Sequence, residues 1–269
     1  MKITHFREPL DGLAIENTFS AYDSNGSIIG RASVHPMMLP QFLPARPHQI
    51  LLRVEAEPEA LDALYGAAIT RARVLAMQKG CPARIYTDIK PNDPVQMEHL
   101  SLFGFQDDDG LVSMAADLLP GVVYDDTDFK GFAVAEDLLD DQYERPMFLK
   151  RYNALYSDDK DLNWLTWIAS QPDFRRFMLV DEKGMVGEVL TWTVNGCGVI
   201  GFIYTAEDKR RRGVALYMLD TVRRYLTSIG VYRAAFEVRV KAPGLVKLAE
   251  KAGYRQVKRL RAYPGIDIN

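Results

Sequence analysis

Apolar and polar positions along the chain fall into two successions of the same elements. Residues 22–30 read as a strand, a turn at Asn25-Gly26 and a second strand, because Asn-Gly readily adopts the left-handed backbone of a two-residue hairpin. Residues 177–187 repeat the pattern around Asp181-Glu182-Lys183-Gly184. An apolar strand follows each hairpin, over 50–54 and 199–204, and after each the spacing predicts a long amphipathic helix, over 58–79 and 212–228. Leu216, Leu219, Val222 and Leu226 form the apolar stripe of the second helix. Matching strands come next, at 84–87 and 234–238, and then a shorter helix that ends on Gly104 in one half and Gly253 in the other. A glycine there suits a left-handed C-cap, and an aromatic residue, Phe105 or Tyr254, opens the next strand.

Strand, helix, strand, helix, strand in each half is an α/β or α+β plan occurring twice, each a mixed, mostly antiparallel sheet flanked by helices. Pro120-Gly121, with the acidic residues Asp125, Asp126 and Asp128, interrupts the patterning and divides the chain into expected domains 1–120 and 121–269. The second domain has an additional helical region over about 142–170. Its Trp164, Leu165, Trp167 and Ile168 are expected in the core or at an interdomain seam.

The chain of 269 residues is 48% hydrophobic and 26% charged, which excludes disorder, collagen and coiled coil. A net charge of -3 lacks the basic excess of a nucleic-acid binder, so any basic patch must be local. The two cysteines, Cys81 and Cys197, are too few for a disulfide framework, and His5, His35, His48 and His99 have no ligand spacing, so no metal is expected. No signal-peptide core opens the sequence and no segment approaches the ~20 apolar residues of a membrane span; the expected location is the cytoplasm, off the membrane.

The chemistry concentrates in residues 204–215. Lys209, Arg210, Arg211, Arg212 and Gly213 join a strand to a helix N-terminus, collecting cations, the helix dipole and unpaired N–H groups in one turn. Such a turn suits phosphates, although a basic run by itself can equally be a solvated face.

Arg210-Arg211-Arg212-Gly213-Val214-Ala215 resembles the Arg/Gln-x-x-Gly-x-Gly/Ala signature of the GNAT superfamily of N-acetyltransferases. The resemblance covers about 174–264 and, in degenerate form, 18–114. It implies acetyl-CoA as cosubstrate: the Arg210 side chain and the backbone of Arg211, Arg212, Gly213, Val214 and Ala215 would hold the pyrophosphate. The pantetheine arm would run along Ile203 and Thr205. It further implies acetyl transfer to a primary amine, whether small molecule, amino acid or peptide N-terminus. The run Phe236-Glu237-Val238-Arg239 is similar to a strand of the alanine N-acetyltransferase subgroup, which makes Glu237 the candidate base; an ion pair of Glu237 with an arginine is the competing reading. Glu237 amid apolar neighbours would have a raised pKa. Glu188 is a second candidate. The subgroup's Asn and Tyr fall on Ala242 and Ala249, leaving Tyr263, in a Tyr-Pro that resembles the subgroup's ending, as candidate acid, or departure of the thiolate without one. The first half places Glu55, Glu57, Glu59 and Asp62 at the matching junction, where they would repel pyrophosphate; it is expected to bind no acetyl-CoA and to wall off the acceptor cleft. A non-catalytic acyl-CoA-binding sensor is the alternative.

Overall fold

The computed structural model describes residues 1–6, 12–119 and 129–269. The expected seam at 120–121 and the acids at 125–128 lie outside the described residues. Two compact units emerge, residues 1–111 with 260–269, and residues 112–259.

The first unit is built on a six-stranded sheet of β1 (Lys2–Thr4), β2 (Thr18–Tyr22), β3 (Ile28–Met38), β4 (His48–Ala56), β5 (Ala83–Thr87) and, at its far edge, β13 (Gly265–Ile268). Helix α1 (Pro58–Lys79) lies on this sheet; Leu64, Ala68, Ala72 and Ala76, one turn apart, are buried against Ile50, Leu52 and Ile85. β4 and β5 are parallel and paired along the whole of β5, from His48–Ala83 to Leu52–Thr87. The short α2 (Pro94–Ser101) follows, capped by the Asp93 carboxylate, which accepts the Gln96 N–H at 3.0 Å.

The second unit holds a seven-stranded sheet in the order β12 (Arg255–Ala262), β6 (Gly110–Asp117), β11 (Arg233–Arg239), β10 (Cys197–Thr205), β9 (Gly184–Val194), β8 (Arg175–Asp181), β7 (Ala133–Asp137). Between β7 and β8 come α3 (Glu144–Tyr156) and α4 (Leu162–Ala169), the additional helices expected from sequence. Helix α5 (Val214–Ser228) packs Val214, Met218, Leu219, Val222 and Leu226 on the sheet, and α6 (Pro243–Lys251) precedes β12. Gly198 lets α5 approach: a Cβ there would stand 2.3 Å from a Leu226 methyl. Both expected glycine caps are present, with φ of 86° at Gly104 and 85° at Gly253. In each, the following N–H bonds back across the turn, Phe105 to the Leu100 carbonyl and Tyr254 to that of Ala249.

Two strands take partners that a cut at residue 120 does not suggest. β6 lies in the second sheet between β11 and β12, and β13, the last strand of the chain, pairs with β5 of the first, Gly265 opposite Tyr86. Alternation of apolar residues predicts that a strand exists but carries no label for the sheet it joins.

A buried guanidinium fixes β13. Arg84, 1% exposed, donates to Asp267 of β13 at 2.8 Å, to Asp108 at 2.5 Å and to the Tyr263 carbonyl at 3.2 Å, with the fully buried Asp109 carboxylate 3.9 Å from its Nε. Gly265 makes room, since a Cβ would stand 2.8 Å from that Nε. Replacing Arg84 with Met would remove the buried cation shared by Asp108, Asp109 and Asp267 and is expected to lower the unfolding free energy by roughly 3 kcal/mol. Urea denaturation of wild type and Arg84→Met measures this; a loss under about 1 kcal/mol would show that the cluster does not hold the strand.

Candidate functional site

The site is assembled where β10 ends and α5 begins. Eight residues, 206–213, separate the two elements. Glu207–Lys209 form a 3₁₀ turn whose Lys209 ammonium is anchored 2.8 Å from the Asp181 carboxylate in the β8–β9 turn and lies over the Phe132 ring. The hydrogen bond from Lys209 holds the Asp181 carboxyl below its ordinary range. Arg210 is turned back, its Nε 3.4 Å from the carbonyl of Thr205. Arg211 and Gly213 both take left-handed backbone, with φ of 63° and 86°, and Gly213 is the N-cap of α5, which therefore starts at Val214 and not at Arg212 as the spacing predicted. Arg211, Arg212 and Gly213 are exposed, and Val214 is buried under the turn. The first-turn N–H groups of α5 have no acceptor within the helix. Of the four cations, two are thus directed into the protein's own structure and two stand at the helix start, beside the exposed acids Glu207 and Asp208.

Alongside the loop, β10 and β11 part. Their parallel pairing consists of Gly198–Ala234 and Val199–Ala235, although β10 continues to Thr205 and β11 to Arg239. A bulge at Gly201 accompanies the parting, with Ile200 opposite Thr191 and Phe202 opposite Leu190. A side chain at Gly201 would collide with the Trp192 ring, its Cβ being 2.0 Å away. Ile203 and Thr205 pair with Val189 and Gly187 of β9 on one side, and their other edge faces the gap.

Four features of this arrangement were not legible from sequence or differ from expectation. First, Glu237 does not sit amid apolar neighbours: alternation along β11 buries Phe236 and Val238 and leaves Glu237 exposed. The apolar surroundings expected from its sequence neighbours are therefore absent. Second, Glu188, fully buried on β9, accepts hydrogen bonds from two guanidinium groups, from Arg176 Nε at 2.5 Å and from Arg151 Nε and Nη2 at 3.1–3.3 Å. Arg176, 1% exposed, also reaches Asp137 and Glu144, at 2.9 and 3.1 Å. With both oxygens engaged, Glu188 is placed to fix α3 on the sheet, not to take a proton from a substrate. Third, Trp167 is 58% exposed, so it is not a core residue; Leu165 and Ile168 are the buried face of α4. Fourth, Tyr263 belongs to the first unit, half-buried with its ring edge-on to Tyr86, while Glu237 belongs to the second.

Trp164 instead joins an aromatic cluster with Tyr152, Tyr156, Phe148 and Phe202, the Tyr152–Trp164 centroids 4.6 Å apart. Burial, followed by the charge of Asp158, pushes the Tyr152 hydroxyl up to about 12, and burial raises that of Tyr156 as well. Neither is suited to donating a proton near neutrality. Ala242 and Ala249 are buried and carry no proton to give.

The matching place in the first unit has no such site. A single residue, Glu57, separates β4 from α1, Pro58 at the helix start removes an N–H, and Glu55, Glu59 and Asp62 are exposed around it. Among the described residues no group of three or more His, Cys, Asp or Glu could hold a metal, and no helix is long and apolar enough to cross a membrane.

The sequence profile of the acetyltransferase (GNAT) family matches residues 133–254, which contain the loop, the parted strands and α5. This segment is a GNAT domain. A structure of a GCN5-related N-acetyltransferase from Sphaerobacter thermophilus is similar over 96% of this chain and 82% of its own, with 15% identity and a TM-score of 0.51. A probable N-acyltransferase of unknown function from Enterococcus faecalis (12% identity, TM-score 0.52) and a GCN5-related N-acetyltransferase from Anabaena variabilis (11%, 0.50) cover 92% and 94% of this chain. This chain spans 61% and 63% of those two. At such identities the likeness is one of fold. No curated protein matches.

The GNAT domain depends on the buried ion cluster. Glu188→Gln would leave Arg176 and Arg151 facing a neutral amide and is expected to cost roughly 3 kcal/mol, and Arg151→Met, whose arginine is a quarter exposed, clearly less. Denaturant unfolding of both variants checks the order; equal, small losses would show that α3 is held by apolar packing alone.

Proposed function

We propose that the chain is an acetyl-CoA-dependent N-acetyltransferase whose acceptor is a primary amine. The observation that carries the reading is the loop 206–213 ending in a left-handed Gly213 at the start of α5, directly beside the free edge of β10. Pyrophosphate fits this turn: first-turn N–H groups supply oriented donors, Arg211 and Arg212 supply charge, and the absence of a Cβ at Gly213 keeps the approach open. Arg210 would have to turn away from the Thr205 carbonyl to join them. A pantetheine arm, with amides of its own, can pair with Ile203 and Thr205 as an added strand would.

In the reaction the amine nitrogen forms a bond to the thioester carbonyl carbon, the carbonyl oxygen carries negative charge in the tetrahedral intermediate, and collapse breaks the C–S bond. Glu237 is assigned the amine proton, directly or through one water; being exposed, it acts by position on the strand that bounds the gap. Tyr263 is assigned to protonate the departing thiolate, with unassisted departure as the other route. A small-molecule amine, an amino acid and a peptide N-terminus all remain acceptors of the right chemistry. The acidic, one-residue junction of the first unit supports a role for it without acetyl-CoA. Ala242 and Ala249, where the subgroup has its polar pair, favour one second reading, a non-catalytic acyl-CoA-binding sensor.

Calorimetric titration with acetyl-CoA separates these. About one equivalent is expected to bind wild type, and Gly213→Glu, which strains the left-handed turn and adds a negative charge, is expected to weaken binding at least roughly a hundredfold. No binding to wild type would overturn the assignment. In an amine screen Glu237→Gln should lower kcat by roughly 10²-fold or more with acetyl-CoA binding intact; binding without turnover of any amine by wild type would select the sensor.

A further inference from the structure

A chain of net charge -3 carries one strongly basic stretch. Between Arg233 and Arg259 there are eight Lys and Arg against two acids, Glu237 and Glu250, a surplus of six. The stretch comprises β11, α6 and most of β12. Arg233, Lys247, Lys251, Arg255 and Lys258 are exposed, with Lys247 and Lys251 one turn apart on α6. β12 is also the end strand of its sheet, hydrogen-bonded to β6 on one side; its other edge is bridged to Ile89 at the last residue, Ala262, which leaves the portion 255–258 as the candidate edge. Along it Arg255, Gln256, Val257 and Lys258 are all exposed, so both faces of the strand are open next to its outer edge, and Val257 is 54% exposed.

An edge of this kind presents alternate N–H and C=O groups to an incoming strand, and the flanking charges decide which strand can enter. A second copy of β12 would bring Arg255 and Lys258 against themselves, so self-pairing is disfavoured by like charge. We propose that β12, with the basic face of α6, is a docking edge for an extended acidic segment of a protein partner, bound by strand addition. Because Arg255 and Lys258 project to opposite faces, the segment carries acids on both of its faces, interrupted by small apolar residues that cover Val257. A nucleic acid would use the charges but not the ladder of backbone bonds, and it would meet repulsion from the remainder of a net acidic chain. Binding at this edge needs no acetyl transfer and is measured without acetyl-CoA, so its failure and that of the transferase reading are separate.

The probe is a fluorescein-labelled octapeptide, Glu-Glu-Val-Glu-Glu-Val-Glu-Glu, followed by anisotropy on the full chain. Saturable binding is expected, weakened about tenfold or more in the Arg255→Glu/Lys258→Glu double variant, whose fold is checked by circular dichroism. Two further peptides, N-methylated on odd or on even residues, distinguish a ladder from simple attraction: one should bind like the parent and the other should not. No saturable binding, equal binding of both methylated peptides, an unaffected double variant, or equally tight binding of a twenty-nucleotide oligothymidylate would each overturn the proposal.

Discussion

The candidate site depends on one constraint, the early parting of two parallel strands. Backbone N–H and C=O groups in a half-buried place must find partners, and in most parallel sheets the neighbouring strand supplies them. After Val199 and Ala235, β10 and β11 no longer do so. The outer groups of β10 then look onto a gap that water or an amide-bearing ligand must fill. The bulge at Gly201 and the Trp192 ring against it make the parting a built feature, since no larger residue fits at 201. The loop 206–213 completes the geometry by placing a helix N-terminus at the mouth of the same gap.

Such a gap needs walls that do not collapse into it. Helix α3, whose Phe148 packs on Phe202 of β10, is held by charges as well as by apolar contact: Glu188 is buried between Arg151 and Arg176, and Arg176 is shared with Asp137 on β7 and Glu144 on α3. Burial works against the charge of Arg176, and the neighbouring carboxylates more than offset it, leaving its pKa raised. Desolvated ion pairs contribute little net stability, but they have strict geometry, and four elements meet at this one. Arg84 does for β13 in the first unit what Arg176 does here.

Local signals were legible in the sequence and assignments between distant segments were not. The Asn-Gly and Lys-Gly turns, the glycine caps at 104 and 253, the two long helices and the Arg-rich junction are each fixed by neighbours a few residues away, and each is found at the expected place except that α5 begins at Val214, two residues late. The sheet that β6 or β13 joins is decided by residues a hundred or more positions distant, as Arg84 and Asp267 illustrate. The exposure of Glu237 was hidden for a different reason. Its neighbours in sequence are apolar, but in a strand those neighbours point the other way, so an apolar flank at i±1 says nothing of the face at i. At Glu188 alternation gives no signal at all, since residues 186–193 of β9 are all buried, and its pairing with Arg176 and Arg151, 12 and 37 positions away, has no local mark.

The two units show how little separates a helix start that could take an anion from one that could not. Both run a strand into a long helix at the same point of the same fold. In the second, eight residues and two left-handed positions turn the chain so that the helix start faces outward with its donors unpaired. In the first, one residue makes the connection, proline removes a donor, acids surround the helix start, and β4 and β5 stay paired to the end of β5. On the proposed reading these differences act together, because a closed pair of strands leaves no edge for a pantetheine arm, and without that arm a phosphate turn would hold only one end of acetyl-CoA. On that reading the short junction and the closed strands belong together, and the acids at the start of α1 favour the helix dipole.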